Sequence, residues 1–177
     1  MGVLLLLASV ITANLAPARG QIGAHYFESL NQSQVWINLE PKNLEPGPNP
    51  IEINVTVSFP GRRLAEAPVI VALRAGAYCR VFPTRIRQPV MTLIVDGAEQ
   101  RVDGRELPLQ VRSACGDGAG SADVIVTELP FGAFRRIAAA RDVEIRAFGF
   151  DVKLTPTALS ALASFASAVE DGVTITR

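Results

Sequence analysis

Ile51-Glu52-Ile53-Asn54-Val55-Thr56-Val57-Ser58-Phe59 alternates apolar and polar residues along its whole length. Successive side chains of a β-strand point to opposite faces of a sheet. The period of two therefore sets Ile51, Ile53, Val55, Val57 and Phe59 on one face and the polar residues on the other. Upstream, Ser33-Gln34-Val35-Trp36-Ile37-Asn38-Leu39-Glu40 repeats the pattern, with Val35, Ile37 and Leu39 on one side. Between them, Pro41 to Pro50 (PKNLEPGPNP) carries four prolines and a glycine. Proline cannot donate to a ladder, so this stretch reads as a loop. Downstream, Pro60-Gly61 ends the strand and Pro68 opens Val69-Ile70-Val71-Ala72-Leu73. That unbroken apolar run predicts a central strand buried on both faces. A short strand is expected over Tyr78 to Phe82.

Further along, Val90 to Val95, Asp96-Gly97 and Ala98 to Val102 read as strand, turn and strand. Asp-Gly is a strong hairpin signal because both turn residues must accept positive φ. Leu107 to Val111 is another short strand, Gly116 to Ser121 (GDGAGS) a loop, and Asp123 to Thr127 a strand. Phe131 to Ala140 (FGAFRRIAAA) is a short helix, with Phe134, Ile137 and Ala138 on one face. Val143 to Leu154 (VEIRAFGFDVKL) reads as a second hairpin. Thr155-Pro156 then supplies a helix N-cap and a proline at the first helical position, where its missing N–H costs nothing. Leu159, Leu162, Phe165, Ala166 and Val169 recur at helical spacing, and Asp171-Gly172 stops the helix. Thr92–Val102 and Glu144–Leu154 both place glycine sixth in their stretch, the pattern of an internal repeat.

Many short strands joined by turn-rich connections, without regular βαβ alternation, define a mainly β fold. The expected architecture is an antiparallel sandwich or partly closed barrel with one or two short helices toward the C-terminus. The 177 residues suit a single domain with a sizeable core. Seventeen basic residues balance seventeen acidic ones, which argues against a nucleic-acid binder. No apolar run approaches the roughly 18 residues of a membrane span, so no transmembrane anchor is expected.

Met1 to Ile11 (MGVLLLLASVI) is an apolar run of signal-peptide length, followed by Ala16-Pro17-Ala18, a small-x-small cleavage site. The expected organisation is a signal peptide over 1–18, a flexible spacer over 19–32 and one β-rich domain over 33–177. The destination is the periplasm or the exterior. In that oxidising setting Cys79 and Cys115 are expected to form a disulfide.

Leu129-Pro130 through Val169 resembles a pattern found in uncharacterised secreted bacterial proteins. It comprises a Leu-Pro, a short Arg- and Ala-rich helix, a strand-Gly-strand (VEIRAFGFDVKL), then Thr-Pro and an amphipathic helix. The resemblance implies export and a bacterial setting, and no particular activity.

Catalytic chemistry finds little footing. His25 is the only histidine, and it lies just past the expected cleavage site. No nucleophile elbow is present. Gly116 to Ser121 has the glycines of a phosphate loop without its lysine. Asp117, Ser121, Asp123 and Glu128 sit at calcium-loop offsets, but Ala119 and Ala122 occupy positions that such a loop reserves for a ligand and a glycine. No cofactor or metal is expected. Asp96, Glu99, Asp103, Asp142 and Glu144 are the carboxylates that a glycoside hydrolase would draw on. Trp36 and Tyr78 are candidates for a sugar platform, against the ordinary place of strand aromatics in a core.

Charge is segregated along the chain. From Gly61 to Arg87, six arginines (Arg62, Arg63, Arg74, Arg80, Arg85, Arg87) face Glu66 alone, a net of +5. From Gln88 to Pro130, three arginines face seven acids, a net of −4. Arg62, Arg63, Arg80, Arg85 and Arg87 are thus the candidate site for an anionic envelope component or an acidic protein. The competing expectation, favoured by the overall neutrality, is that the two segments neutralise each other across strands. The leading functional expectation is an exported, non-catalytic binding or envelope-associated protein. The alternatives are a glycan-directed carboxylate hydrolase and a secreted inhibitor or adhesin.

Overall fold

The computed structural model of the chain describes residues 10–11, 20–39, 51–80, 89–111 and 120–176. The elements follow in chain order: β1 (Val10–Ile11), β2 (Ile22–Phe27), β3 (Gln32–Leu39), β4 (Ile51–Pro60) and β5 (Arg63–Leu64). Then come β6 (Ile70–Arg80), β7 (Val90–Val95), β8 (Ala98–Asp103), β9 (Arg105–Val111) and β10 (Gly120–Pro130). The chain continues through α1 (Phe131–Ala138), β11 (Val143–Ala147), β12 (Phe150–Lys153), α2 (Pro156–Asp171) and β13 (Val173–Ile175). A large sheet of six strands runs β2-β3-β4-β6-β10-β9, and a small sheet of four runs β12-β11-β7-β8. β5, β13 and β1 make a short clasp in which only β1–β13 is parallel. The expected mainly β, antiparallel architecture is observed, as a sandwich whose sheets are not closed into a barrel.

The alternation that decides the fold is visible in the burial. β3 buries Ser33, Val35, Ile37 and Leu39, and β4 buries Ile51, Ile53, Val55, Val57 and Phe59. These inward residues meet Met91, Leu93, Val143, Ile145 and Val152 of the small sheet and Phe134, Leu162 and Phe165 of the helices in one apolar cluster. Phe134 and Phe165 pack edge to face at 6.1 Å, which ties α1 to α2. Thr155 caps α2 as expected, its hydroxyl accepting from the Ala158 N–H at 3.0 Å. Both hairpins turn through two positive-φ residues, Asp96-Gly97 and Phe148-Gly149. In the small sheet β7 pairs with β11, matching Ile94 to Glu144 and Thr92 to Arg146. Those pairs exchange under the offset that carries Thr92 to Glu144, so a local pseudo-twofold relates β7 to β11.

Some expectations change. Residues 22–27, assigned to a flexible spacer, form β2, an edge strand paired along β3 from Ile22↔Ile37 to Phe27↔Gln32. Ala24 is 1% exposed there, and Ile22 and Tyr26 on the same phase pack against the core, so backbone pairing and three inward residues hold the segment. The separate strands expected over 69–73 and 78–82 are one, β6. β6 is central in the sheet but buried mainly on one face: Val71, Leu73 and Ala75 point inward, while Ile70 is 48% exposed. α2 continues through Asp171. Pro108 stands in β9, an edge strand, where a missing donor does no harm. Among the described residues no helix is long and apolar enough to cross a membrane.

Candidate functional site

Of the candidate arginines, Arg62, Arg63 and Arg80 lie on described backbone, and they fall at two ends of the large sheet. Arg62 and Arg63 follow the end of the large sheet marked by Pro60 and Gln32. Arg80 closes β6 at the opposite end, ten residues beyond Ile70, about 33 Å along a strand. The Arg62 guanidinium lies 3.8 Å from the centre of the Tyr26 ring and 3.2 Å from Glu28 Oε1. Arg63 is exposed in the clasp. Arg85 and Arg87 lie outside the described residues, as do Cys115, the proline-rich 41–50 loop, residues 112–119 and all of 1–18 except Val10–Ile11. Cys79 is the penultimate residue of β6. Val111 pairs with Gly120, and Ser121 with Arg80, at the end of β6 that carries Cys79. No disulfide is formed among the described residues.

The carboxylates are engaged as neighbours of bases. On the outer face of the small sheet, Arg146 lies 2.8 Å from Glu144, 3.3 Å from Asp151 and 3.7 Å from Glu99. Hydrogen bonding to Glu144 raises the Arg146 pKa above its ordinary value, opposed by desolvation and aided by the charges of Asp151, Glu144 and Glu99. Lys153 sits 2.8 Å from Asp142, and that hydrogen bond raises its pKa likewise. Asp96 Oδ1 accepts from the N–H groups of Arg141 (2.9 Å) and Asp142 (3.0 Å), fastening one hairpin to the loop before the other. This is an open, mutually neutralised lattice.

The calcium-loop pattern dissolves on a strand. Asp123 is 2% exposed and points inward with Ile125, while Glu128 is exposed on the opposite face of β10, so the two cannot converge. Among the described residues no three His, Cys, Asp or Glu side chains are placed to hold a metal ion. The interior holds a void of about 10 Å³ walled by apolar side chains such as Val55, Leu93 and Phe134, at or below what one water needs. A shallow groove of about 580 Å³ runs between Gly20 and Ile22 and the Thr157, Ser160, Ala161 and Ser164 side of α2.

The outer face of the large sheet is different. Registers align its outward residues in rows across β2, β3 and β4: Phe27–Gln32–Pro60, His25–Gln34–Ser58 and Gly23–Trp36–Thr56, with Asn38–Asn54 next. Apart from His25, none of these side chains is ionisable. Trp36 is half-buried and takes no part in the core cluster. In its row it stands between a glycine and a threonine, which leave the flanks of the indole low. Asn54 Nδ2 donates to Asn38 Oδ1 at 2.7 Å, and the Thr56 hydroxyl donates to Asn54 Oδ1 at 2.6 Å. His25 and Phe27 pack edge to face at 4.5 Å on the edge strand, and both are exposed. Charge returns with Glu52 at the start of β4, with Arg74 on the neighbouring central strand β6 opposite Asn54, and with Glu128 on β10.

Sequence reasoning set Trp36 beside Tyr78 as a sugar-platform candidate and left His25 and Phe27 in a spacer. The signal for Trp36 was its phase. If Val35, Ile37 and Leu39 face inward, Trp36 must face out. No signal short of the β2 pairing would have found His25 and Phe27. Comparison of the chain with protein-family models, curated proteins and solved structures finds no match.

Proposed function

We propose that this is an exported, non-catalytic binding protein of the cell envelope, with residues 1–18 as its removable signal and the outer face of the large sheet as its working surface. The observation that carries the proposal is the contrast between two kinds of polar group. The ionisable side chains of the small sheet are spent on one another around Arg146. The amides of Gln34, Asn38 and Asn54 around Trp36 are only half-buried and keep hydrogen-bonding capacity to spare, while the Thr56 hydroxyl that joins them is buried. An inhibitor or adhesin would work by the same means. Export is supported by the apolar N-terminal run and its small-residue cleavage site. Cleavage after Ala18 would remove β1 and its pairing with β13.

Two experiments test this. N-terminal sequencing of exported protein is expected to begin just after Ala18, and retention of residues 1–18 would remove the export claim. Purified chain lacking those residues is expected to co-sediment with isolated envelope. The double variant Gln34→Glu/Ser58→Glu should lose that binding while Arg101→Glu on the small sheet keeps it. Equal sedimentation of all three proteins would refute the assignment of the surface.

A further inference from the structure

We infer that the ligand of this surface is a neutral carbohydrate, stacked on Trp36 and hydrogen-bonded by Asn38 and Asn54; this rests on the surface assignment above. The first argument is charge. The patch spans three strands without a formal charge of its own, in a chain where 19% of residues are charged, and the one guanidinium beside it, Arg74, stands across from Asn54 on the next strand. Neutral polar groups around a ring complement a ligand that is itself neutral and polar. The second argument is shape. Trp36 sits between Gly23 and Thr56, so a flat molecule can approach the indole without meeting taller side chains in its row. The apolar C–H face of a pyranose is such a molecule, and tryptophan supplies a rigid platform for it.

The third argument is the direction of the hydrogen bonds. The chain runs Thr56 O–H to Asn54 Oδ1, then Asn54 N–H to Asn38 Oδ1. Each bond polarises the next. The relay presents donors at its Asn38 end, where the amide has two N–H groups, and each amide Oδ1 keeps a second lone pair as acceptor. Thr56, opposite Trp36, is buried and anchors the relay from below. Sugar hydroxyls both donate and accept, so adjacent hydroxyls of one ring match a surface that offers both along one line.

Trp36 is the only tryptophan, so its emission reads the site directly. The test titrates the chain lacking residues 1–18 with neutral tetrasaccharides, one a β-linked glucan and one of N-acetylhexosamine. Emission and calorimetry are followed together. Saturable binding to at least one is expected, with a shift of Trp36 emission. Trp36→Ala should weaken it more than about tenfold, and Trp36→Phe should restore part of the loss. Asn38→Ala should weaken binding with the fold unchanged, and Arg101→Glu should leave it intact. Should Trp36→Ala unfold, Asn38→Ala carries the test alone. Absence of saturable binding by either sugar, or binding that ignores Trp36 and Asn38, overturns the inference. If the outer-face double variant still loses envelope binding while neither sugar binds, the carbohydrate class fails and the surface assignment survives. If that variant binds envelope like the parent, both fail.

Discussion

On the small sheet, the outward positions of β7, β8, β11 and β12 are Val90, Thr92 and Ile94 surrounded by Glu99, Arg101, Asp103, Glu144, Arg146, Asp151 and Lys153. On the large sheet, the outward positions of β2 to β4 near Trp36 are amides, hydroxyls, rings and small residues. Both sheets put aliphatic side chains into the same core, so burial does not distinguish them. The difference lies in where polar groups find partners. Charges four or five ångströms apart across strands satisfy one another and keep an exposed sheet soluble. Amides linked in an open chain end in groups that still seek partners. A face of the first kind suits upkeep of the fold, and a face of the second kind suits recognition.

The strongest way to break this contrast is to show that the two sheets are separate bodies. Phe165 is 0% exposed and packs against Phe134, and the core cluster it belongs to joins both sheets. Phe165→Ala is expected to cost about 3–5 kcal/mol. Denaturation followed by Trp36 emission and by helical circular dichroism should give coincident transitions in parent and variant. If the helix signal is lost at lower denaturant than the tryptophan signal, the shared core does not couple the sheets.

A smaller effect sharpens the comparison by striking one sheet. Asp96→Ala removes the acceptor of two backbone N–H groups, those of Arg141 and Asp142. The expected loss is about 1–2 kcal/mol. Amide exchange should quicken in β7, β8 and β11 while β3 and β4 stay protected. Uniform quickening would mean that the cap serves the whole molecule.

What could be read in the residues follows the range of the interaction that fixes each element. β3 and β4 carry their own alternation, the Asp96-Gly97 turn its own dihedral demand, and α2 its own cap at Thr155. Such signals are local, and they survived folding unchanged. β2 and the clasp are set by partners far off in the chain: Ile22–Phe27 by β3, Arg63–Leu64 by Val173 and Thr174. Strands of two or three residues show no period at all. The same division governs the candidate site. Trp36, Asn54 and Thr56 lie on strands whose phase was legible, so their common face followed from it. Their apposition to His25 and Phe27 needed β2. Arg62 and Arg80 stand at opposite ends of the large sheet, because nearness in sequence along an extended strand is distance in space.

Arg146 offers a weaker perturbation of the charged lattice. Arg146→Glu would bring a fourth carboxylate among Glu99, Glu144 and Asp151. Melting temperature should fall by on the order of a few degrees at low ionic strength and recover in concentrated salt, because exposed like charges are screened. Envelope binding should not change. A fall that salt does not relieve would point to lost packing of the arginine stem instead of repulsion.

The faintest expected effect concerns Lys153. Its hydrogen bond to Asp142 raises its pKa in the folded state above the unfolded value. A base with a raised folded pKa binds its proton more tightly when folded. Its contribution is therefore complete below the unfolded pKa and disappears as pH climbs through the folded one. Across neutral pH nothing should move. In the alkaline range the parent should lose slightly more stability than Lys153→Met, a difference on the order of a degree or two in melting temperature given the exposure of the pair. Scans of both proteins from neutral to strongly alkaline pH check this. Parallel curves would show that the lattice on the small sheet is ordered without being stabilising, and its contrast with the Trp36 face would then be one of solubility alone.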